Sequence, residues 1–261
     1  MQSIFKRFED KYHLTREQGA SIQEAIAQHM KPDEYGEYLV QNLYYDTDNW
    51  DVIRASLEKP VYKEKLRLRC YGVPDQDTNL FLELKKKYRG IVYKRRIAVP
   101  MTAFSQGTGT IRDIVSGKSS QISRELDFYM KNNAVYEKIY ISYMRSAFAG
   151  IEEDKGLRIT LDTDVCYRLD RLNYSTPGDG CYKVLPQDKT LMEIKTLGGM
   201  PLWLSHVLCE NKIYPTSFSK YGACYIDHIS RMLIKPETEP EKIELEPPER
   251  SNAERLVLRN A

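Results

Sequence analysis

The sequence predicts an α+β protein built on an antiparallel eight-stranded β-barrel with helices packed outside. Three observations predict it. Segments at roughly 4–12, 39–46, 62–71, 79–87, 91–99, 137–146, 157–163 and 189–196 carry β-rich composition or alternate polar with apolar residues, as a strand with two unlike faces does. The short link Tyr88-Arg89-Gly90 is a hairpin signal and favours antiparallel pairing. Lys and Arg recur on one face of most strands, so a closed sheet with helices on its apolar side would line its lumen with cations.

At the N-terminus Arg7, Glu9 and Lys11 alternate with Phe8. Leu14, Ile22, Ala25, Ile26 and Met30 follow at helical spacing, and Thr15 with Gln18 can form a capping box, which places a helix over Thr15–Met30. In the 62–71 strand Lys65, Arg67 and Arg69 share one side and Leu66 and Leu68 the other. Glu83 and Lys85 lie opposite Leu82 and Leu84, and Lys94 and Arg96 lie opposite Tyr93 and Ile97. Further on, Arg158, Thr160 and Asp162 separate from three aliphatics, and Glu193 shares a face with Lys195. Helices are expected at Ser119–Lys131, at Leu202–Asn211 after Pro201, and at Tyr221–Leu233. Trp203 reads as a core or helix-start anchor rather than a base-stacking platform.

Alternation alone fits solvent-exposed polar faces over an ordinary core. Repetition over five or six strands favours the lumen, because cations confined there repel by about 4 kcal/mol per pair at roughly 4 Å in a moderate effective dielectric. A phosphate chain would neutralise them, with arginine offering two-pronged contacts. The sparse carboxylates suit a divalent cation held together with phosphate oxygens.

Composition bounds the alternatives. A chain of 261 residues suits one large domain or two small ones. With 39 basic and 37 acidic residues the net charge is +2, and cations interrupted by carboxylates on strand faces do not resemble a nucleic-acid surface, so no such partner is expected. Cys70, Cys166, Cys181, Cys209 and Cys224 form an odd set with no CxxC pair, which implies neither a disulfide framework nor zinc, and a reducing, cytoplasmic location. Met1–Asp10 has no apolar leader core, and no run of about 18 apolar residues occurs, so no membrane span of its own is expected. Near Lys235 the composition turns Pro- and Glu-rich, dividing a domain at 1–235 from a tail at 236–261. Ser116-Gly117-Lys118-Ser119 imitates the end of a P-loop, but Arg112 stands where the first glycine belongs. His13, His29, His206 and His228 lack metal-ligand spacing.

Several motifs carry a resemblance: Arg7-Phe8-Glu9-Asp10-Lys11-Tyr12, Leu43-Tyr44-Tyr45-Asp46-Thr47, Leu66-Arg67-Leu68-Arg69-Cys70-Tyr71-Gly72, Phe81-Leu82-Glu83-Leu84-Lys85, Tyr143-Met144-Arg145-Ser146-Ala147-Phe148, Arg158-Ile159-Thr160-Leu161-Asp162-Thr163, Leu191-Met192-Glu193-Ile194-Lys195 and Phe218-Ser219-Lys220-Tyr221. In order and spacing, from Phe5 to about Tyr225, the chain resembles the polyphosphate polymerase domain of the vacuolar transporter chaperone (VTC) proteins. That domain belongs to the triphosphate tunnel metalloenzyme group, which includes the CYTH phosphatases. The resemblance implies an antiparallel tunnel barrel. It implies that Lys11, Arg67, Arg69, Lys85, Lys94, Arg145, Arg158 and Lys220 bind the triphosphate of ATP and the growing chain, that Glu193 holds Mn²⁺ or Mg²⁺, and that Tyr143 stacks on adenine.

The implied activity is ATP:polyphosphate phosphotransfer, with pyrophosphate or polyphosphate accepting the γ-phosphate. The alternatives are a metal-dependent triphosphate or polyphosphate hydrolase and a non-catalytic polyphosphate-binding subunit. Arg7 stands where the CYTH signature has its first glutamate, which weakens the case for a generic hydrolase. Eukaryotic relatives join this domain to a phosphate-sensing domain and membrane helices, so translocation would fall to a membrane-protein partner in trans.

Overall fold

The computed structural model describes residues 8–89, 91–105, 111–118 and 120–233. Arg7 and the tail at 236–261 lie outside them. The chain divides into a unit ending at Asp227 and a second beginning at His228.

The sheet starts with β1 (Phe8–Leu14), which α1 (Arg16–His29) links to the long β2 (Met30–Asp46). After α2 (Asp51–Leu57) come β3 (Tyr62–Tyr71), β4 (Asn79–Tyr88) and β5 (Ile91–Pro100). Three helices follow, α3 (Met101–Ser105), α4 (Ile111–Ser116) and α5 (Gln121–Asn133), then β6 (Tyr136–Gly150) and β7 (Arg158–Arg168). The two-residue β8 (Tyr182–Lys183), β9 (Thr190–Thr196), α6 (Leu202–Glu210) and α7 (Lys220–Leu233) complete the order. All strand pairs are antiparallel. Their order is β1-β9-β7-β6-β2-β3-β4-β5, with β8 beside β7.

All eight expected strands are present. Among the described residues the end strands β1 and β5 share no ladder, so the sheet is not closed by strand pairing as the barrel expectation had it, although Glu9 on β1 reaches Lys85 on β4 at 3.5 Å. β2 begins nine residues earlier than the alternation indicated, at Met30 instead of 39. The added stretch is mostly exposed, and the register on β6 shifts between Pro32 and Glu37, where proline has no N–H to give the ladder.

Period-two patterning decides what the two faces meet. On the outer face Leu43, Leu66, Leu68, Leu82 and Leu84 are fully buried, packed with Ile111 and Val115 of α4 and Leu126, Tyr129 and Met130 of α5. On the opposite flank Leu14, Ile159 and Ile194 pack against Ile22 and Ile26 of α1 and Leu204 and Leu208 of α6. The capping box of α1 forms: the Gln18 N–H donates to Thr15 Oγ1 at 3.2 Å and the Thr15 N–H to Gln18 Oε1 at 2.9 Å, satisfying two donors that the first turn leaves unpaired. Trp203 anchors the start of α6, its ring stacked on His29 at 4.3 Å and its Nε1 donating to Asp154 at 2.8 Å.

Sequence periodicity gave no sign of α2. Its cap comes from the end of β2, where the fully buried Asp46 carboxylate accepts the N–H groups of Val52 at 2.9 Å and Ile53 at 3.0 Å. The same carboxylate accepts the Tyr221 hydroxyl at 2.6 Å, which fixes the entry of α7.

Candidate functional site

On the lumen side of β3, β4 and β5 the register sets Arg67, Glu83 and Arg96 in one row across the strands. Glu83, 1% exposed, is the hub of this wall. Arg67 grips it through Nε at 2.9 Å and Nη2 at 2.8 Å, Arg96 through Nε at 2.6 Å, and Lys94 reaches it at 2.6 Å. Burial alone would raise this carboxyl, but the charges of Arg67, Arg69 and Lys94 hold it well below the usual carboxylate range. Arg69 bridges to the next strands, donating to Asn42 at 3.0 Å and to the Tyr143 hydroxyl at 3.3 Å.

The opposite wall is built from β6, β7, β9 and β1. Arg145 holds Asp162 through two hydrogen bonds of 2.6 and 2.7 Å. Glu193 is surrounded by Lys195 at 3.1 Å, Lys220 at 3.3 Å and Lys11 at 3.5 Å. Burial opposes its ionisation, yet Lys220, Lys11 and Lys195 keep its carboxyl well below the ordinary value.

Lys220 comes from α7, whose start lies on this polar face. The preceding segment is tied to β1 by the Thr216 N–H to Lys11 carbonyl bond of 2.7 Å and by Lys11 Nζ donating to the Phe218 carbonyl at 3.0 Å. Tyr221 then stacks on Tyr44 at 4.6 Å, and Ser219 accepts the Gly222 N–H at 3.2 Å as a helix cap. A methyl group on Gly222 would lie 2.9 Å from Leu57 Cδ2, so a larger residue there would push the Leu57 side chain of α2 aside.

A second row of lysines runs parallel to the Glu83 row. Lys65 faces Lys85 and Lys85 faces Lys94 across the strands, with Lys63 opposite Lys87 one step further out. Like charges placed directly opposite one another destabilise a sheet. Lys85 has Glu9 and Lys94 has Glu83, whereas no carboxylate among the described residues pairs with Lys65. Its Nζ donates to Ser219 Oγ at 3.1 Å and sits over the Tyr221 ring. Burial first, then the charges of Lys63, Lys11, Lys85 and Arg67, bring its ammonium down to about 7.

The structure therefore gathers Lys11, Arg67, Arg69, Lys85, Lys94, Arg145, Glu193 and Lys220 onto one polar face. Arg158 stands apart, its side chain 55% exposed and 3.6 Å from Asp33. Tyr143 shares the face but is 3% exposed, with Arg145 and Lys220 lying 5.1 and 4.6 Å from its ring centroid. Burial raises its hydroxyl, but Arg145, Arg69 and Lys220 outweigh this and bring it to about 8. Its ring is enclosed by these cations, and Tyr143 also lines a neighbouring cavity with Ser142 and Met144. The exposed aromatic edge lies elsewhere, where Tyr71 touches Tyr38 at 6.0 Å and Phe81 at 5.8 Å, beside Arg69 and Arg96. Lys65, Glu83 and Arg96 belong to the constellation although no role was assigned to them from sequence. Their strand parity with Arg67 and Lys85 was the available signal.

Among the described residues no three His, Cys, Asp or Glu side chains form a metal cage. Glu193 and Glu9, on neighbouring strands, both face Lys11, at 3.5 and 3.7 Å. These hard oxygen donors fit Mg²⁺ or Mn²⁺ once phosphate oxygens complete the shell, as Mg²⁺ sites with one or two carboxylates do.

An antiparallel sheet with helices outside and cations along its inner face has the architecture of the triphosphate-tunnel fold. The VTC domain model matches residues 6–227, and the chain belongs to that family. Subunit 4 of the vacuolar transporter chaperone complex of Schizosaccharomyces pombe is 25% identical over 146 residues, a match covering 48% of this chain and 20% of the relative. A solved structure from Hippeastrum, of a protein named as an adenylyl cyclase and credited with a dominant triphosphatase activity, superposes with a TM-score of 0.51. It is 18% identical and the match covers 85% of this chain and 96% of that one, so the likeness is one of fold. The PH1819 protein of Pyrococcus horikoshii gives a TM-score of 0.43 at 13% identity, over 85% of this chain and 99% of its own. Among the described residues no helix is long and apolar enough to cross a membrane.

Proposed function

We propose that this protein transfers the γ-phosphoryl group of ATP onto a growing inorganic polyphosphate chain. The observation that carries the reading is the length of the basic face. On β3 alone it runs from Arg69 through Arg67 and Lys65 to Lys63, about 20 Å at the rise of a strand, and Lys65 in its middle has no carboxylate partner among the described residues. A cradle for one triphosphate would need only the Glu83 row and the Asp162 wall.

Phosphoryl transfer asks for alignment and charge stabilisation more than covalent help. A terminal oxygen of the chain attacks the γ-phosphorus, the bond to the β-bridging oxygen breaks, and ADP leaves. Arg67, Arg69, Arg145 and Lys220 hold the equatorial oxygens, and Lys65, Lys85 and Lys94 hold the chain. A divalent ion on Glu193, with Glu9 nearby, would neutralise charge that develops on the bridging oxygen. The adenine would rest at the Tyr71 and Phe81 rim. On this reading the reaction takes place in the cytoplasm, and a membrane-protein partner in trans would move the product across a bilayer.

The deciding experiment incubates the purified full chain with ATP, Mn²⁺ and pyrophosphate and follows both products. ADP with long polymer that a polyphosphatase degrades supports transfer. ADP with free orthophosphate alone from the earliest time points identifies a hydrolase, and no nucleotide turnover identifies a binding subunit.

A further inference from the structure

A cavity of about 330 Å³ is lined by Ser142, Asp164, Cys166, Cys181 and Lys183. It brings two sulfurs together. Cys166 lies on β7 opposite Ser142 of β6, with Sγ and Oγ 3.3 Å apart, and it shares the wall of this cavity with Cys181. Cys181 ends the loop at 169–181, just before the β8 bridge that sets Lys183 against Cys166. Cys166 is 8% exposed and Cys181 is half-buried.

The third member is Arg168, whose side chain is fully buried. Its guanidinium organises the loop, donating to the carbonyls of Arg171 at 3.0 Å, Asn173 at 2.7 Å and Thr176 at 2.8 Å, and it packs over the Tyr140 ring at 3.8 Å. Among the described residues no carboxylate pairs with it. A buried cation without a counter-charge is costly, and the group at hand that can become an anion is the Cys181 thiol, whose Sγ accepts from Arg168 Nη1 at 3.6 Å. The two thiols are consequently unequal. The neighbouring Cys166 thiol and then the bond and charge of Arg168 hold Cys181 below the ordinary thiol value, while the neighbouring Cys181 and burial push Cys166 up. A thiolate beside a cation, open to a cavity and next to a second thiol, has the features of a reactive pair. A buried cysteine acting only as a small apolar residue needs neither the arginine nor the cavity.

We propose that Cys181 and Cys166 form a hydroperoxide-reactive dithiol that closes into a disulfide between the loop and β7. The Cys181 thiolate attacks one peroxide oxygen, so an S–O bond forms, the O–O bond breaks, and the departing hydroxide takes a proton from solvent to leave as water. Cys166 then attacks the Cys181 sulfur. The S–S bond forms, the S–O bond breaks, and the second hydroxide leaves with the Cys166 proton as water. The two thiols together lose two electrons and the peroxide gains them. Closure draws the Cys181 end of the loop towards β7, and a dithiol reductant reverses it.

The test uses the full chain, near-stoichiometric hydrogen peroxide, an alkylating quench and peptide mass mapping. Trypsin cuts after Arg168 and Arg171, so the two cysteines fall on different peptides. The expected result is a linked pair of those peptides that dithiothreitol separates, with Cys181 consumed at least about tenfold faster than the exposed Cys209 of α6. Cys166→Ser should leave Cys181 as a sulfenic acid that a 1,3-dione traps, and Cys181→Ser should abolish both the link and the trapping. Should a variant fail to fold, the wild-type map decides alone. The proposal is overturned if Cys209 oxidises first, if Cys181 in the wild-type chain stops at the sulfenic acid, or if the link involves Cys224.

Discussion

Lys220 Nζ lies 2.5 Å from Asp162 Oδ2, joining the first residue of α7 to the middle of β7 with both side chains buried. Glu193 takes the same ammonium from the other side at 3.3 Å. Burial works against the Lys220 charge, and Asp162 and Glu193 more than offset it, leaving the ammonium above its usual range. Lys220→Met should therefore act twice. Stability should fall by about 3–5 kcal/mol, because two buried carboxylates lose a partner, and turnover should fall by at least about a hundredfold. Urea titration and product analysis separate the effects. A variant with wild-type midpoint and turnover would remove Lys220 from the site.

Glu83 gives a pH prediction. Its folded carboxyl titrates below the unfolded one, so the folded state binds fewer protons as the pH falls through the usual carboxylate range. Its stabilisation is present above about pH 4 and is lost below it. Glu83→Gln should be less stable than wild type at neutral pH, since Arg67, Lys94 and Arg96 lose a shared anion. Its melting temperature should also fall less steeply on acidification. Parallel curves from pH 7 to 3 would show that another carboxylate dominates the acid limb.

Arg67 and Arg158 separate a two-pronged contact from a single exposed charge. Arg67 uses Nε and Nη2 on Glu83 and Nη1 on the Tyr44 hydroxyl, at 3.0 Å for the last, a geometry lysine cannot reproduce. Arg158 has one ion pair of 3.6 Å at the rim. Arg67→Lys should lower kcat/KM roughly tenfold or more, and Arg158→Lys by less than about threefold. Equal losses in steady-state assays would place Arg158 on the chain path as fully as Arg67.

Strand parity made most of this face legible in the sequence. Lys65, Arg67 and Arg69, then Glu83 with Lys85, then Lys94 with Arg96, sort correctly because side chains alternate whatever the register. The pairings across strands were not legible, since Glu83 meets Arg67 and Arg96 only through a register that no local pattern encodes. Tyr143 shows the limit. Its shared face with Arg145 was readable, but its enclosure depends on Lys220, which arrives from a distant segment. The missed elements are short or irregular. α2 has seven residues and a cap borrowed from β2, β8 has two, and the first half of β2 contains Pro32 and Gly36.

Lys65 gives the last prediction, a proton count. In the free protein its ammonium titrates near 7 because burial and neighbouring cations disfavour the charge, whereas an unfolded lysine titrates near about 10.4. Between those values the unfolded state binds more protons, so the free protein should gain stability as the pH rises through that window. Below it the full penalty of a charged Lys65 remains. A phosphate chain on the Lys65–Lys85–Lys94 row would supply the missing anion and restore the charge, so binding should take up a proton at about pH 8. Calorimetric titration with tripolyphosphate in two buffers of different ionisation enthalpy measures that uptake. Lys65→Met should abolish it, weaken tripolyphosphate binding, and raise the melting temperature of the free protein at pH 7. Binding with no proton uptake in the wild-type chain would mean that the phosphates do not reach this row.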